Sequence, residues 1–488
     1  MASNQHPNRH RTLVWFRGKD LRVSDHAPLT SAIAAGDVVP LFVLDPYFFA
    51  PARARELPHR MQFLLESLDS LRKNLEKLGS ELLIAEGKSV QIVPQLAREL
   101  AATRVVAQRW TEPFGRERDR RVAAALAVPF ELFEGETLVA PETIRNGGGQ
   151  PFSVFTPFAR ALRRSLPDVV PLPPPRALPP LPADVRFSSA VLPTLAELGI
   201  VENPKILRGG ERAARARLTE FLEHALVRYD RERDRMDLAG TSRLSADLKF
   251  GTLSVRSVWA AAARLADRAP SPVDKFMSEL LWREFTHASL WDRPQLLEQP
   301  FRADFMDFPW VDDEAGWEAW TSGRTGYPVV DAAARQLLAE GFVHNRARMI
   351  AASFLTKHQL IHYARGEAHY MKYLTDGDWA QNNAGWQWSA GCGTDAQPYF
   401  RVFNPTLQGE KFDPNGDYVR RYVPELQKLP AKFIHRPAEA PKNVLEAAGV
   451  ELGVTYPEPI VDHAMARDRF LKIAESHLKG RGARGEGR

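Results

Sequence analysis

The stretch Val38-Val39-Pro40-Leu41-Phe42-Val43-Leu44 is the longest strongly apolar run of the chain, and it is one of five short runs of β type in the first third. The other four are residues 12–16, 81–85, 105–107 and 130–133. Between these runs, Met61 and leucines at helical spacing as far as Leu78, and apolar residues at 92, 96 and 100, predict amphipathic helices. Strands that alternate with helices predict a doubly wound parallel sheet covered by helices. The N-terminal domain is therefore predicted to be α/β.

Regular patterns lapse between residues 136 and 205, where three consecutive glycines (147–149) and eight prolines from Pro167 to Pro182 occur. Proline continues neither a helix nor a central strand, so this segment is predicted to be a long connector that lies on the surface. After it, helical spacing dominates, as at Leu218, Phe221, Leu222 and Ala225. The predicted organisation is an α/β domain at 1–135, a connector at 136–205, an all-α domain at 206–478 and a disordered basic tail at 479–488.

Size and composition exclude several classes of protein. With 488 residues the chain is too long for one hydrophobic core, and 65 basic residues are nearly matched by 60 acidic ones, so only a local patch could bind nucleic acid. The lone Cys392 excludes a disulfide framework and a Cys-rich metal site, so we expect no metal and a reducing compartment. No run is long enough to span a membrane and no signal core is seen. We expect a cytoplasmic monomer without a membrane partner.

The segment from Asp376 to Tyr399 combines polar and aromatic residues in an unusual pattern. Read as a helix, it places Asp378, Asn382 and Trp386 on one face, whereas Trp388 points about 200° away from Trp386. A Trp or Asn taken singly is more often core or helix cap, but burying Asp378, Asn382 and Asn383 among indoles costs free energy unless they have a polar partner. The pattern predicts a helix that offers a carboxylate, an amide and an indole to a polar aromatic ligand and a second indole to another molecule.

Two further helical segments and one turn follow the same logic. Glu279, Trp282 and Arg283 share one helix face, Asn345 and Met349 share another, and His344 and Arg348 share a third. Tyr229 precedes a hydroxyl-rich turn whose N–H groups could hold a pyrophosphate, although a helix cap is the commoner role of such a turn. The charged run at 228–235 suits a solvated face with internal ion pairs, and Arg233 reaching a phosphate is the alternative. The turn consists of Thr241, Ser242, Arg243, Leu244 and Ser245.

These motifs resemble the photolyase/cryptochrome family in their order and spacing. The resemblance rests on residues 241–245, 281–285, 326–333, 344–349 and 376–404, and it covers nearly the whole chain. Within the family the chain is most like the class I photolyases that act on cyclobutane pyrimidine dimers. The resemblance implies an α/β antenna domain followed by an all-α domain that binds FAD in a folded conformation.

The resemblance implies three sets of site residues. Those implied to hold FAD are Tyr229, Thr241, Ser242, Arg243, Leu244, Ser245, Arg283, Arg348, Asp376, Gly377, Asp378 and Asn382. Arg348 would pair with Asp376 beside the flavin ring, and Asn382 would face flavin N5, where plant photoreceptors typically carry Asp. Those implied to face damaged DNA are Arg233, Glu279, Trp282, Asn345, Met349, Trp388 and Arg401. The third set, a chain that reduces the flavin, is implied to run through Trp386, Tyr363 and Trp310.

Two positions depart from the family pattern. Tyr363 stands where the middle tryptophan of the reducing chain is usual, and because a tyrosine must normally lose a proton on oxidation, the electron transfer is expected to be slower or rerouted through Trp379 or Tyr373. Reduction is still expected to depend on Trp386. Phe114-Gly115 stands where folate-binding members carry Asn-Glu, which argues against a folate antenna. A deazaflavin, another flavin or no second chromophore remain open.

The resemblance implies a light-driven carbon–carbon lyase that repairs UV-damaged DNA by electron transfer from excited reduced FAD to a pyrimidine dimer. In such a reaction the protein supplies proximity, exclusion of water and electrostatics, and Glu279 would stabilise the dimer radical anion. A blue-light photoreceptor that binds FAD without repair is the main alternative. A helical nucleic-acid-binding protein that uses its aromatics as stacking platforms is a second alternative. Asn382 and the complete lesion-facing set favour repair.

Overall fold

The computed structural model describes residues 10–396 and 398–485, with side chains as far as residue 477. Five parallel strands form one sheet in the order β3-β2-β1-β4-β5. They are β1 His10–Phe16, β2 Gly36–Leu44, β3 Leu83–Glu86, β4 Arg104–Gln108 and β5 Phe130–Phe133. All five predicted runs are strands, so the α/β fold class is confirmed. The strand order reverses between β1 and β4, which places a ligand crevice of the doubly wound type beyond their carboxyl ends.

Helices make up most of the remaining regular structure. The α-helices are α1 Ala27–Ala35, α2 Pro46–Phe49, α3 Pro51–Arg55, α4 Pro58–Lys77, α5 Ser89–Glu99, α6 Pro113–Ala125, α7 Phe155–Ser165, α8 Glu211–Glu220, α9 Tyr229–Glu232, α10 Ser245–Phe250, α11 Val255–Ala263, α12 Pro270–Asp292, α13 Glu314–Ser322, α14 Pro328–Glu340, α15 Asn345–Ser353, α16 Tyr363–Tyr373, α17 Trp379–Ala390, α18 Pro405–Phe412, α19 Asp417–Tyr422, α20 Lys442–Ala448 and α21 His463–Gly485. None of the described helices is long and apolar enough to cross a membrane.

The chain divides into two compact units. Unit 1 comprises Met1–Phe152, Thr156–Val227 and Ser242–Pro294, and unit 2 comprises Ser153–Phe155, Arg228–Thr241 and Gln295–Arg488. Unit 1 contains the sheet together with α8 and α10 to α12, and its core is formed by the apolar residues of both sheet faces. Regular structure in unit 2 is helical apart from an isolated bridge between Leu452 and Tyr456, and its core is centred on Trp320, Tyr370 and Trp386.

The predicted connector is largely irregular, but it contains some regular structure. Helix α7 and a short 3-10 turn at Pro141–Thr143 interrupt it. Its proline-rich part lies on unit 1, where Leu178 N–H donates to the carbonyl of Leu78 and Ala190 N–H donates to that of Ile84. At the other end of the chain, α21 continues to Gly485, so a helix covers most of the predicted tail, and residues 486–488 lie outside the described residues.

Candidate functional site

The polar and aromatic segment forms α17, and Asp378 is its N-cap rather than its first helical residue. Asp378 has extended backbone angles (φ −113°, ψ 131°), and its carboxylate accepts a hydrogen bond from Gln381 N–H at 3.0 Å. The sequence pattern predicted that Asp378 lies inside the helix. It precedes the helix instead, because an N-cap side chain accepts a hydrogen bond from a first-turn N–H group while its own backbone is not helical. The cap holds the Asp378 carboxylate at the buried start of α17.

Asn382 and Asn383 are held by α16. The Asn382 side-chain N–H donates to the Glu367 carbonyl at 3.0 Å, and Asn383 donates to the Leu296 carbonyl at 2.8 Å and to the Glu367 carboxylate at 3.1 and 3.2 Å. The amide oxygen of Asn382 accepts no hydrogen bond from any side chain or backbone group in the described part of the chain. Asn382 is 8% exposed, so this amide oxygen is available to accept a hydrogen bond from a bound ligand that carries an N–H group.

Glu367 gives a prediction about pH. Burial raises the pKa of its carboxyl to about 7, against the opposing effect of the Asn383 hydrogen bond. In the unfolded chain the group ionises near pH 4.5, so between pH 4.5 and 7 the folded state binds more protons and the free energy of unfolding falls as pH rises. A Glu367→Gln variant should match the wild type below pH 4.5 and be more stable by about 3 kcal/mol at pH 8. Urea denaturation of both proteins at several pH values measures this, and an unchanged difference between pH 4.5 and 8 would contradict it.

Arg348 and Asp376 form the ion pair that the sequence comparison implied. Arg348 Nη2 lies 2.8 and 3.1 Å from the two Asp376 carboxylate oxygens, and Arg348 Nε donates to the Val343 carbonyl at 2.8 Å. Only 5% of the Asp376 side chain is exposed, against 26% for Arg348. The pair therefore has one buried end, the Asp376 carboxylate, and one partly exposed end, the Arg348 guanidinium.

Helix α15 carries the two residues predicted to share a face. The Asn345 side-chain N–H lies 3.7 Å from Met349 Sδ, at the exposed start of the helix. His344, which was expected one turn before Arg348 in the same helix, is instead the N-cap and accepts from Arg346 N–H at 3.1 Å. Burial lowers the pKa of His344 to about 4, so it is neutral at pH 7 and remains a hydrogen-bond acceptor.

The two indoles of α17 have different surroundings. Trp386 is 3% exposed and contacts Tyr370 at 5.2 Å and Trp320 at 5.9 Å between ring centroids, whereas Trp388 is only half-buried. A Cβ at Gly366 would lie 2.2 Å from the Trp386 ring, which is why α16 has glycine where the helices approach. The predicted separation of one core indole from one accessible indole is therefore present in unit 2.

The other residues predicted for unit 2 lie in three places. Arg233 stands over the buried Tyr229 ring with 5.7 Å between guanidinium carbon and centroid. Trp310 and Tyr363 contact each other at 6.4 Å, edge to face. Arg401 is exposed on a loop that was not recognised as anchored from the sequence.

Lys357 anchors this loop from the core. Its ammonium group is 3.0 Å from the Arg401 carbonyl and 3.5 Å from the Tyr399 carbonyl, although the residue is 0% exposed. Burial lowers the pKa of Lys357 to about 7. The carbonyls supply the polar partners that a buried lysine requires, and in return the lysine fixes the backbone next to Phe400, which is 62% exposed.

Unit 1 contains the remaining predicted residues except Thr241, which is the last residue of a unit 2 segment. Glu279 and Trp282 are half-buried on α12, while Arg283 is buried and donates to the Glu136 carbonyl at 2.6 Å. In the turn before α10, Arg243 has a left-handed backbone (φ 52°), and Ser242 Oγ accepts from Leu244 N–H at 3.4 Å. Leu244 is the N-cap of α10 and no side chain caps that helix, so side-chain capping of α10 does not account for the hydroxyls of the turn.

Sequence reasoning missed Glu367, Lys357, Trp317 and Trp320. Glu367 and Lys357 gave no clear signal, because a charged residue in a helical pattern is normally predicted to face solvent. The two tryptophans are three residues apart on one face of α13, and that spacing was available in the sequence.

Comparison with known proteins gives consistent matches over the chain. A family model described as DNA photolyase matches residues 12–179, and one described as the FAD binding domain of DNA photolyase matches residues 276–476. A deoxyribodipyrimidine photo-lyase of Agrobacterium fabrum is 42% identical, covering 94% of this chain and 96% of the relative. Another, from Thermus thermophilus, is 41% identical, covering 96% of this chain and 99% of the relative.

Solved structures agree with these matches. A bacterial class III photolyase from Agrobacterium tumefaciens superposes with a TM-score of 0.91 at 40% identity, covering 98% of this chain and all of that one. A cryptochrome of Synechocystis gives 0.87 at 30% identity, and an archaeal photolyase from Sulfolobus tokodaii with two FAD molecules gives 0.80 at 28%. The matches to the cryptochrome and to the archaeal photolyase each cover 96% of this chain and the whole of the matched chain.

Proposed function

The chain belongs to the DNA photolyase family, and we propose the residues with which this flavin-dependent DNA repair lyase holds FAD, receives a damaged dinucleotide and excludes competing reactions. The observation that carries the proposal is Asn382, a buried amide whose oxygen has no donor among the described residues. The proposed organisation is an antenna-binding domain at 1–135, a connector at 136–205 and an FAD-binding domain at 206–478. Assignment to class I stays a prediction.

In unit 2, we propose that Asn382 accepts a hydrogen bond from flavin and that the Arg348–Asp376 pair lies beside the flavin ring. Asp378 and Gly377 shape the same wall at the start of α17. Tyr229 and the turn at 241–245 are proposed to hold the phosphates, together with Arg283 alongside the cofactor. Bound reduced FAD supplies, on absorbing blue light, the electron that opens the cyclobutane ring. The protein residues orient it and keep water away.

For the damaged bases we propose a clamp of Trp282 and Trp388, each of which is half-buried. Glu279 would hydrogen-bond the fused pyrimidines and stabilise the negative charge they acquire. Asn345 and Met349 complete this set, in place of the two histidines that the (6-4) photolyases carry there. A flipped-out dimer is already poorly stacked, so extrusion costs less than for normal bases and selects the lesion.

The direct test of function is repair itself. The reduced protein is mixed with an oligonucleotide that contains one thymine dimer and is illuminated with blue light, and recovery of thymine absorbance is measured. We expect recovery under light and none in the dark. With reduced FAD bound, absence of recovery would favour the photoreceptor alternative.

We propose that Arg233 and Arg401 contact the phosphates around the lesion and that Lys357 holds the Arg401 loop in place. Replacing Lys357 by Met removes both carbonyl contacts and should weaken dark binding of dimer-containing duplex, while Arg401→Ala should also lower the salt dependence by about one unit. Fluorescence anisotropy at several salt concentrations measures both effects.

The matched control is Thr356→Val, since Thr356 is equally buried but donates only to the Ala352 carbonyl of its own helix turn. We expect its DNA affinity to stay near that of the wild type. If Lys357→Met bound DNA as the wild type does while Arg401→Ala did not, the anchoring role would be wrong.

A second chromophore is proposed at the carboxyl edge of the sheet in unit 1. Tyr47 and Phe114 are 43% and 42% exposed, and their rings stack at 4.4 Å with Arg53 over Tyr47 at 5.8 Å. Such a pair offers a face to a flat heterocycle, and Phe114-Gly115 in place of the Asn-Glu of folate-binding members favours a deazaflavin or second flavin over folate. Support comes from the archaeal relative described with two FAD molecules. Acid extraction and chromatography identify the chromophore, and a Phe114→Ala variant should lose it but keep the first FAD.

A further inference from the structure

One proline-rich stretch of unit 1, which we call the proline ridge, has the sequence Val170-Pro171-Leu172-Pro173-Pro174-Pro175-Arg176. It contains neither helix nor strand. Each proline fixes its own φ, and each residue that precedes a proline is restricted to extended backbone angles. These restrictions cover every residue from 170 to 175. The sequence therefore favours a polyproline II helix, which has three residues per turn.

Exposure along the proline ridge follows that period of three. Val170 is 68% exposed, and Pro173 and Arg176 are exposed as well, so exposed residues recur every third position on one edge. Leu172 and Pro175, which are also three residues apart, are only partly exposed. One side of the ridge is therefore turned towards unit 1, and the other side presents an apolar edge that ends in a guanidinium group.

Groups of unit 1 hold the proline ridge in place. The Asp25 carboxylate accepts a hydrogen bond from Leu172 N–H at 2.7 Å, and Asp25 is 5% exposed. The Arg256 guanidinium donates to the Val170 carbonyl, and its Nε lies 3.6 Å from the same Asp25 carboxylate. Beyond the ridge, Leu178 is anchored through its backbone N–H. Because both ends are fixed, the ridge loses little conformational entropy when a partner binds it.

The exposed edge has polar groups that the chain itself does not use. The carbonyls of residues 173, 174 and 175 accept no hydrogen bond within the described part of the chain. Arg176 forms neither a hydrogen bond nor an ion pair with any residue that the structure describes. Prolines account for the stiffness of a connector, but stiffness alone requires neither an exposed apolar edge nor an arginine at the end of it.

We propose that the proline ridge is a docking site for a partner domain that binds polyproline II helices. Parallel aromatic rings in the partner's groove receive the residue pairs 170–171 and 173–174, which lie one turn, or about 9 Å, apart. A carboxylate at the end of the groove pairs with Arg176, and indole or phenol donors of the groove bind the unused carbonyls. Leu172 and Pro175 stay turned towards unit 1, so the ridge binds without leaving the surface that holds it. None of these residues is proposed to bind FAD or DNA, so the inference does not rest on the proposed function.

The test uses the whole folded chain and an isotope-labelled SH3 domain that has an acidic pocket beside its aromatic groove. Nuclear magnetic resonance detects binding as a shift of the indole N–H signal of the groove tryptophan. We expect the folded protein to bind at least as tightly as a free peptide of residues 168–178, because the ridge is already ordered. Arg176→Ala should weaken binding about tenfold, as the loss of one charge-assisted pair. The double variant Pro173→Ala, Pro174→Ala should weaken binding at least as much.

The matched controls are Arg164→Ala and Pro167→Ala, which replace an exposed arginine and an exposed proline outside the ridge. Neither should change the affinity for the SH3 domain. Binding by the free peptide but not by the folded protein, or equal weakening by Arg164→Ala and Arg176→Ala, would overturn the docking site. Dark binding of dimer-containing duplex by Arg176→Ala should match that of the wild type. Loss of DNA affinity with unchanged SH3 binding would assign the ridge to DNA and overturn the proposal.

Discussion

A Trp386→Phe variant is expected to lose light-driven reduction of its flavin altogether. Trp386 is the ring at which the predicted reducing chain begins, and its contacts with Tyr370 and Trp320 link α17 to the aromatic core of unit 2. A phenyl ring is much harder to oxidise than an indole, so substitution removes the first donor while it keeps the shape of the core nearly filled. The measurement is flavin absorbance under continuous blue light with an external thiol.

The control for Trp386→Phe is repair after chemical reduction. Because Trp386 is proposed to act in reduction and not in lesion binding, dithionite-reduced Trp386→Phe should split dimers at the wild-type rate. Its FAD content should also stay near that of the wild type. Photoreduction at the wild-type rate would show that electrons reach the flavin without passing through α17.

An Arg348→Met variant is expected to lose most of its FAD. Removal of the guanidinium leaves the Asp376 carboxylate, whose side chain is 5% exposed, without its ion-pair partner. Leaving a buried carboxylate without its partner should lower the free energy of unfolding by about 3 kcal/mol. This is the lower end of the range for buried ion pairs, because Arg348 is itself partly exposed. The loss falls beside α17, where the cofactor is proposed to bind, so both unfolding temperature and FAD occupancy should drop.

The double variant Arg348→Met, Asp376→Asn distinguishes the cause. If the penalty comes from the uncompensated charge, replacing Asp376 as well should restore much of the stability, and the two substitutions should be strongly non-additive. FAD occupancy should recover less, because the guanidinium is also proposed to lie beside the flavin. Equal and additive losses would mean that the pair contributes little as a pair. Thermal unfolding and the ratio of flavin to protein absorbance give both quantities.

The pattern of the sequence was sufficient for the strands and for the faces of α12, α15 and α17. Apolar runs such as residues 38–44 are local signals, and helical spacing states which side chains lie together. Capping shifted two of these predictions, since Asp378 and His344 precede their helices and bind first-turn N–H groups from outside. The family resemblance contributed the Arg348–Asp376 pair, which spacing alone does not specify.

The sequence by itself determined the parallel sheet, the helical character of the chain beyond the connector and the kinds of side chain that the site presents. Only the tertiary structure decided which partner each buried group meets: Glu367 under Asn382 and Asn383, Lys357 under the Arg401 loop, and Trp320 against Trp386. Periodicity reports that a face is buried, but it carries no information on which distant segment covers that face. Contacts between residues far apart in sequence therefore decide the ionisation of buried groups and which aromatic rings touch one another.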